Sequence, residues 1–388
     1  MDDNNVSAVV LAAGEGRRLE PLTNRRPKPM VPVANRPILE YVVSAIADAG
    51  IDRIVLVVGY QQERIRNHFG DGNDWGIDIE YAVQEKQLGT AHAVLQAEAL
   101  VTNPFLVLNG DRLVDASLVD RVRREIERSD GPVMAVTRTD HASDYGVVSI
   151  DGDRVTAIAE KPREPVTSEI INAGVYGFGD SIFEAIRATP TERGELAITT
   201  TLERITDDHP IRAVRYRGLW LDVSHLWDLL DVNAAAVDDF DEQGSTPLEG
   251  AVASDTVIGT DVTLGPNATV GGGTAIGDNV TIESNAVLSN AVVFSDAVIE
   301  AGAVVRDSVV GENARIGANA TITGDSARMI VEGEVHDDVD LGGVVGDNAT
   351  VGSGVTVEPG TVVGDGATVA HGVSVSGRIE PDAIVRRG

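Results

Sequence analysis

Cysteine is absent from this chain and lysine nearly so: only Lys28, Lys86 and Lys161 stand beside 28 arginines. Without cysteine there are no disulfides and no thiol catalysis, and the redox compartment is left open. No run approaches 18 apolar residues, so no segment is expected to span a membrane. Basic charge is scarce as well, with 31 Lys and Arg against 61 Asp and Glu and a net charge of -30. With no basic footprint, binding to nucleic acid or to an anionic membrane through bulk electrostatics is excluded. Met1 to Val6 is acidic and leads straight into an apolar strand-like stretch, unlike a signal peptide, so the expected location is the cytoplasm. An acidic, lysine-poor surface suits molar salt: screening there shortens the Debye length to about 3 Å, and carboxylates keep the surface hydrated. It is the surface expected of an extreme halophile.

At 388 residues the chain has room for two domains, and two textures meet near residue 240. Before that point short apolar runs alternate with helical patterns. Ser7 to Ala13, Ile54 to Val58 and Pro104 to Leu108 read as buried strands; Ile38 to Ala49 and Gln61 to Phe69 read as helices. Such alternation predicts an α/β domain over 1–236, Rossmann-like, with a mixed and mostly parallel sheet. Ligands of such sheets bind beyond the carboxyl ends of the strands, where Gly14 and Asp111 fall. Ala234 to Pro247 is rich in Asp, Glu, Gly, Ser and Pro, which puts an acidic linker at 237–250.

From 251 to 388 an aliphatic residue recurs every six positions. One run is Ile258, Leu264, Val270, Ile276, Ile282, Leu288 and Phe294; another is Val345, Val351, Val357, Val363, Val369 and Val375. Between them the phase slips, then breaks over Thr323 to Gly343. So short a repeat cannot bury its apolar face alone and must stack. One inward residue per six, with small or turn residues at corners, predicts a left-handed parallel β-helix with triangular coils.

The chemistry-bearing residues begin at Leu11-Ala12-Ala13-Gly14-Glu15-Gly16-Arg17-Arg18-Leu19, which closes the first strand. Glycines there let backbone approach a phosphate or base, and the N–H groups that follow are free to donate. A dinucleotide site would want a third glycine where Leu19 stands. Further on come Pro21-Leu22-Thr23 and Arg26-Pro27-Lys28-Pro29-Met30, putting Arg18 and Lys28 on one proline-stiffened loop. Lysine's scarcity adds weight, since arginine replaces it on a surface but not at a compact phosphate contact, and all three survivors fall inside motifs. A second motif, Gln84-Glu85-Lys86-Gln87-Leu88-Gly89-Thr90-Ala91-His92, offers a carboxamide that complements a pyrimidine edge, with backbone donors at a helix start. His92 is expected only to pack. Asp111, at a strand end, is placed to reach a metal that bridges phosphates.

These stretches resemble the signature of the sugar-1-phosphate nucleotidyltransferase superfamily. They are similar to the bifunctional N-acetylglucosamine-1-phosphate uridylyltransferases and to glucose-1-phosphate uridylyl- and thymidylyltransferases. The resemblance implies that Arg18 and Lys28 hold the triphosphate. It gives the base to Gln84, Gly89 and Thr90 with backbone of Leu11, Ala12, Ala13 and Gly14. It implies Mg2+ on Asp111 and Asp222, the latter a position where bacterial bifunctional enzymes carry asparagine. Gly146, Glu160, Lys161 and Asn172 would hold the sugar phosphate. The expected reaction joins UTP or dTTP to a sugar 1-phosphate and releases pyrophosphate.

A second, acetyl-transferring site in the β-helix is not expected. Ile299 to Val310 holds no histidine where such enzymes place a general base, and Thr323-Gly324-Asp325 replaces an expected Asn-Tyr pair. His336 and His371 are the domain's only histidines. The β-helix is expected to assemble the chain, by analogy as a homotrimer. The competing readings are a bifunctional enzyme using acetyl-CoA and a non-catalytic regulatory subunit; an intact Arg18, Lys28, Asp111 and Asp222 set argues against the latter.

Overall fold

A computed structural model describes residues 6–160, 162, 168–191, 194–206, 209–239 and 251–387. The chain forms two compact units: one holds Met1–Glu15, Pro27–Met30 and Ile38–Asp222, the other Gly16–Arg26, Val31–Pro37 and Val223–Gly388. Segments 16–26 and 31–37, which lie early in the chain, therefore belong with the C-terminal repeats.

In the first unit, strands β1 (Ser7–Ala12), β2 (Arg53–Val58), β3 (Asp78–Val83) and β4 (Phe105–Asn109) lie parallel in the order β3-β2-β1-β4. Beyond β5 (Arg112–Val114), which is outside this sheet, the chain adds β6 (Val133–Arg138), β7 (Gly146–Asp151), β8 (Arg154–Glu160), β9 (Ile170–Phe178) and β10 (Arg212–Arg215). They extend it as β4-β9-β6-β10-β8-β7. In that half only β6 and β10 are parallel, so the sheet is evenly mixed, where the sequence pattern predicts a mostly parallel one. Strands β7, β8 and β10 are partly exposed and weakly apolar, and strand direction depends on connections that periodicity does not encode.

Both faces of the central strands are covered, which is why β1, β2, β4 and β6 read as continuous apolar runs. Ala8, Val10 and Ala12 join helices α1 (Ile38–Asp48), α2 (Gln62–Phe69) and, further along, α4 (Ala116–Ile126) in one core. Val9, Val55, Val57, Phe105 and Val107 join α3 (Thr90–Gln96), α5 (Ser181–Ala188) and α6 (Ile198–Ile205) in the other. Each fully buried Val, Leu or Ile there contributes about 1.5–3 kcal/mol. Gly50 follows α1 at φ 78°, the left-handed conformation that suits glycine at a helix end.

The C-terminal part of the second unit begins with α7 (Asp228–Asp239), so 237–239 of the expected linker close a helix, and 240–250 lie outside the described residues. Then come stacked parallel coils: Thr263 pairs with Thr281, Thr281 with Val298, Val298 with Arg315, and Arg315 with Thr350. The coils are 17 or 18 residues long, and the 35-residue step from Arg315 to Thr350 contains an inserted hairpin. Its strands, Ser326–Val331 and Glu334–Asp340, account for the broken repeat. Corner residues Asp261, Asn267, Asn279, Asn285, Asn313 and Asn319 all take positive φ, which Asn and Asp tolerate best after glycine.

The inward column contains Leu264, Val270, Ile276, Ile282 and Leu288, then Val293. Phe294, expected inward, is displaced because Val293 registers with Ile276 in a 17-residue coil. Its ring lies instead 4.8 Å from the Arg26 guanidinium.

Candidate active site

The second half of the α/β unit returns a short strand, β11 (Trp220–Asp222), onto β5, with Asp222 in register with Arg112. A carboxylate more than a hundred residues downstream is thereby set beside the end of β4. Lys28 Nζ donates to Asp111 Oδ2 at 2.6 Å and to Asp222 Oδ1 at 3.5 Å. Arg112 Nη1 lies 2.8 Å from Asp222 Oδ2, and its guanidinium stacks 5.2 Å from the Tyr145 ring and 5.0 Å from the Trp220 ring. Burial works against both cations. The carboxylates outweigh it, Asp111 first for Lys28 and Asp222 first for Arg112, so both pKa values rise. Arg112 is the residue that sequence reading missed. Its position directly after Asp111 was the available signal, but the pairing with Asp222 arises only through β5 and β11.

At the ends of β1 and β4, Gly110 N donates to Leu11 O at 2.9 Å. Ala12 and Ala13 are buried while Gly14 is exposed, with open space where a Cβ would stand, so a ligand can approach its backbone. Gln87 Nε2 donates to Ala13 O at 2.7 Å, fastening the second motif to the first. Gln84 is buried, and its Nε2 lies 3.1 Å from Gly89 O and 2.9 Å from His92 Nδ1. His92 therefore has a polar role, contrary to the packing role expected of it: its Nδ1 lies within hydrogen-bond distance of the Gln84 amide nitrogen. The Gln84 donors are occupied within the motif, leaving Oε1. Gly89, at φ 96°, is pressed on residue 196: a Cβ there would stand 2.6 Å from Leu196 O. Thr90 Oγ1 accepts from Ile198 N at 2.9 Å, so this hydroxyl ties the start of α3 to the start of α6.

Three residues expected on the sugar side converge. β7 and β8 pair Gly146 with Glu160, and a Cβ on Gly146 would meet Glu160 Oε2 at 3.0 Å, Thr199 Cγ2 at 3.6 Å and Asn172 Cβ at 3.7 Å. Asn172 Nδ2 donates to Tyr176 Oη at 2.5 Å, and its Oδ1 accepts from Gly174 N at 3.0 Å. Burial pushes the Tyr176 phenol well above its ordinary pKa, so it stays neutral and holds Asn172. Lys161 lies outside the described residues.

The family model described as nucleotidyl transferase matches residues 7–239. The chain belongs to the nucleotidyl transferase family. A second model, described as the GMPPB C-terminal domain, matches residues 252–382 of this nucleotidyl transferase. The bifunctional protein GlmU of Methanococcus maripaludis is 38% identical over 231 residues, 59% of this chain and 54% of the relative, so the chain spans about half the length of that curated relative. The glucose-1-phosphate thymidylyltransferase of Streptomyces antibioticus is 38% identical over 258 residues, covering 65% of this chain and 71% of its own. The low-salt glycan biosynthesis nucleotidyltransferase Agl11 of Haloferax volcanii is 35% identical over 239 residues, covering 60% and 67%. A solved Bacillus anthracis structure described as a glucose-1-phosphate thymidylyltransferase superposes with a TM-score of 0.57 at 26% identity, over 62% of this chain and 98% of that one.

Nucleotidyl transferases of this family use a divalent metal, and the donor set here fits one. Asp111 and Asp222 converge on a single cationic atom, Lys28 Nζ. Among the described residues no group of three acidic or histidine side chains is arranged as a complete cage. Two carboxylates that leave the remaining positions to water and substrate phosphates suit a divalent metal. No helix among the described residues is long and apolar enough to cross a membrane.

Arg18 of the nucleotidyl transferase lies in the unit that contains the coils, where its Nε donates to Glu332 Oε2 at 2.8 Å, at the tip of the inserted hairpin. In the coils, His371 Nδ1 accepts from Ser353 N at 2.8 Å, a turn-holding role. His336 lies among rings, 4.9 Å from His225 and 5.1 Å from Trp227.

Proposed function

We propose that this chain transfers a uridylyl group, or with lower preference a thymidylyl group, from UTP or dTTP to a sugar 1-phosphate. An oxygen of the sugar phosphate forms the new bond to the α-phosphorus. The bond from that phosphorus to the bridging oxygen breaks, and pyrophosphate leaves with the electron pair. UDP-glucose or UDP-N-acetylglucosamine would be the product. The observation that carries the reading is the convergence of Asp111 and Asp222 on Lys28. No protein nucleophile is needed; the residues position the reactants and neutralise charge. Lys28 and Arg18 would hold the triphosphate, and the backbone at Gly14 would admit the nucleotide. Glu160 and Asn172 would take sugar hydroxyls, Gly146 would keep their niche open, and Lys161 would take the sugar phosphate. Mg2+ would be held by Asp111 and Asp222 and would supply charge neutralisation at the phosphates.

For the base, Gln84 has its Oε1 to offer, an acceptor that matches the N3–H of uracil or thymine. The thymidylyltransferase among the relatives supports a pyrimidine. Uracil and thymine differ by one methyl, worth about 1–3 kcal/mol of discrimination, so dTTP would be turned over as well. The coils are read as a left-handed β-helix that assembles the chain as a homotrimer, and the acidic surface as an adaptation to high salt.

The test is pyrophosphate release from UTP, dTTP, ATP and GTP, each with glucose 1-phosphate and N-acetylglucosamine 1-phosphate. UTP should show the highest kcat/KM, with dTTP second. Preference for ATP or GTP would overturn the base assignment, and no release from any pair would overturn the reaction.

A further inference from the structure

The coils do more than stack: they bury part of the signature segment. Arg26 has a side chain only 4% exposed, and its Nη2 donates to Asp347 Oδ2 at 2.8 Å, with the Asp347 side chain 2% exposed. The same nitrogen donates to Glu312 Oε2 at 2.7 Å, Nη1 donates to Leu22 O at 3.4 Å, and the guanidinium stacks on Phe294. Two residues earlier, Asn24 Nδ2 donates to Asp365 Oδ2 at 2.9 Å. The acceptors are themselves built in. Asp347 Oδ1 accepts from Glu312 N at 2.8 Å, and Asp365 Oδ1 accepts from Asp347 N at 2.8 Å. Asp347 and Asp365 thus form a ladder up one corner of successive coils. It offers the segment two buried carboxylates on a rigid edge. Asn35 Nδ2 likewise donates to Ile276 O at 2.6 Å, so the 31–37 stretch is also held on the coils.

Burying an arginine is costly unless its charge is paired and its donors are used, and a guanidinium that bridges two carboxylates while stacking on a ring is matched only in part by lysine. Nothing in the expected reaction requires Arg26 to touch substrate, and a solvent-exposed loop cation would cost nothing. We infer that Arg26 is a positioning residue for nucleotidyl transfer. Through Asp347 and Glu312 it clamps residues 17–26, the segment that carries Arg18, onto the coils, so that the repeats fix the position of a proposed triphosphate ligand. The inference rests on the transfer reading above, but its physical half, the clamp, does not.

The experiment uses the full chain with Arg26→Gln, Arg26→Lys and Glu312→Gln. Amide hydrogen exchange of residues 17–26 reads the clamp, and KM for the nucleoside triphosphate against kcat reads its role. Arg26→Gln should speed exchange in 17–26 and raise that KM, each by at least about tenfold, the scale of breaking a buried pair, with kcat changing less. Coil amides should keep their protection, which shows that the variant is folded. Arg26→Lys should recover part of the loss, and Glu312→Gln, whose partner keeps Asp347, should give a small change in the same direction. Unchanged exchange in 17–26 would overturn the clamp. Faster exchange with an unchanged KM would overturn the positioning role. Absence of transfer by the unaltered protein with every substrate pair would defeat the transfer reading, and the positioning role with it, while the exchange result would still decide the clamp.

Discussion

Lys28 and Asp111, 83 residues apart in sequence, meet at 2.6 Å, and the same ammonium reaches Asp222 at 3.5 Å. Asp111→Asn preserves side-chain volume but removes one of the two carboxylates proposed to hold Mg2+. Turnover should fall by at least about a hundredfold, a loss of several kcal/mol of transition-state stabilisation, and the melting temperature should fall as well because buried Lys28 loses its nearest carboxylate. Initial rates at saturating Mg2+ check this, and near wild-type turnover would remove Asp111 from the metal site. The pair also sets a pH limit. Because the folded-state pKa of Lys28 is raised above 10.5, its stabilising attraction is complete below that value and is lost as pH climbs through the raised one. Melts taken from pH 9 upward should show less loss at the alkaline end in Lys28→Met than in the unaltered chain.

Arg112 should matter to both stability and rate. Arg112→Met leaves Asp222 buried without its nearest guanidinium, and breaking such a pair costs about 3–5 kcal/mol. Denaturant melts should record a loss on that scale. A destabilisation under about 1 kcal/mol would mean that the ion pair with Asp222 is dispensable.

Gly89 is held at φ 96° with no room for a methyl group against Leu196. Gly89→Ala should therefore destabilise by about 1–3 kcal/mol from backbone strain alone, more if the residue 196 backbone cannot retreat. Ser at the same position should be no better. Thermal melts matching the wild type would show that the motif rearranges freely.

Glu332 competes for Arg18, the cation proposed to bind triphosphate. Both side chains are substantially exposed, 40% and 47%, so the pair is worth no more than about 1 kcal/mol. Glu332→Gln should accordingly lower KM for the nucleoside triphosphate, but by less than about fivefold, with kcat unchanged. A rise in KM would mean that Glu332 assists Arg18 instead of occupying it.

A net charge of -30 self-repels when unscreened. The melting temperature should rise markedly from low ionic strength to molar KCl. Equal melts at the two extremes would remove salt adaptation as the explanation of the acidic surface.

Much of this molecule is written in local sequence. Continuous apolar runs such as Val9 to Ala12 mark strands buried on both faces, and Gly50 marks the end of α1, because these depend on periodicity and on φ alone. The six-residue spacing of Val345 to Val375 specifies a stack of coils, since a residue placed inward once must be inward at every repeat. Gly14, Lys28 and Asp111 stand out because strand ends and stiffened loops are where backbone and charge can meet a phosphate. What only the tertiary structure decided are the pairings between distant segments. Asp222 acquires Arg112 through the antiparallel return of β11 onto β5. Gln84 loses its donors to Gly89 and His92, and Phe294, though still buried, leaves the inward column when one coil shortens by a residue. Arg26, indistinguishable in sequence from any loop cation, becomes buried because Asp347, 321 residues later, is held on a coil corner to receive it. Periodicity reports the environment of one element at a time; which charges neutralise one another depends on how the chain returns, and no local pattern carries that.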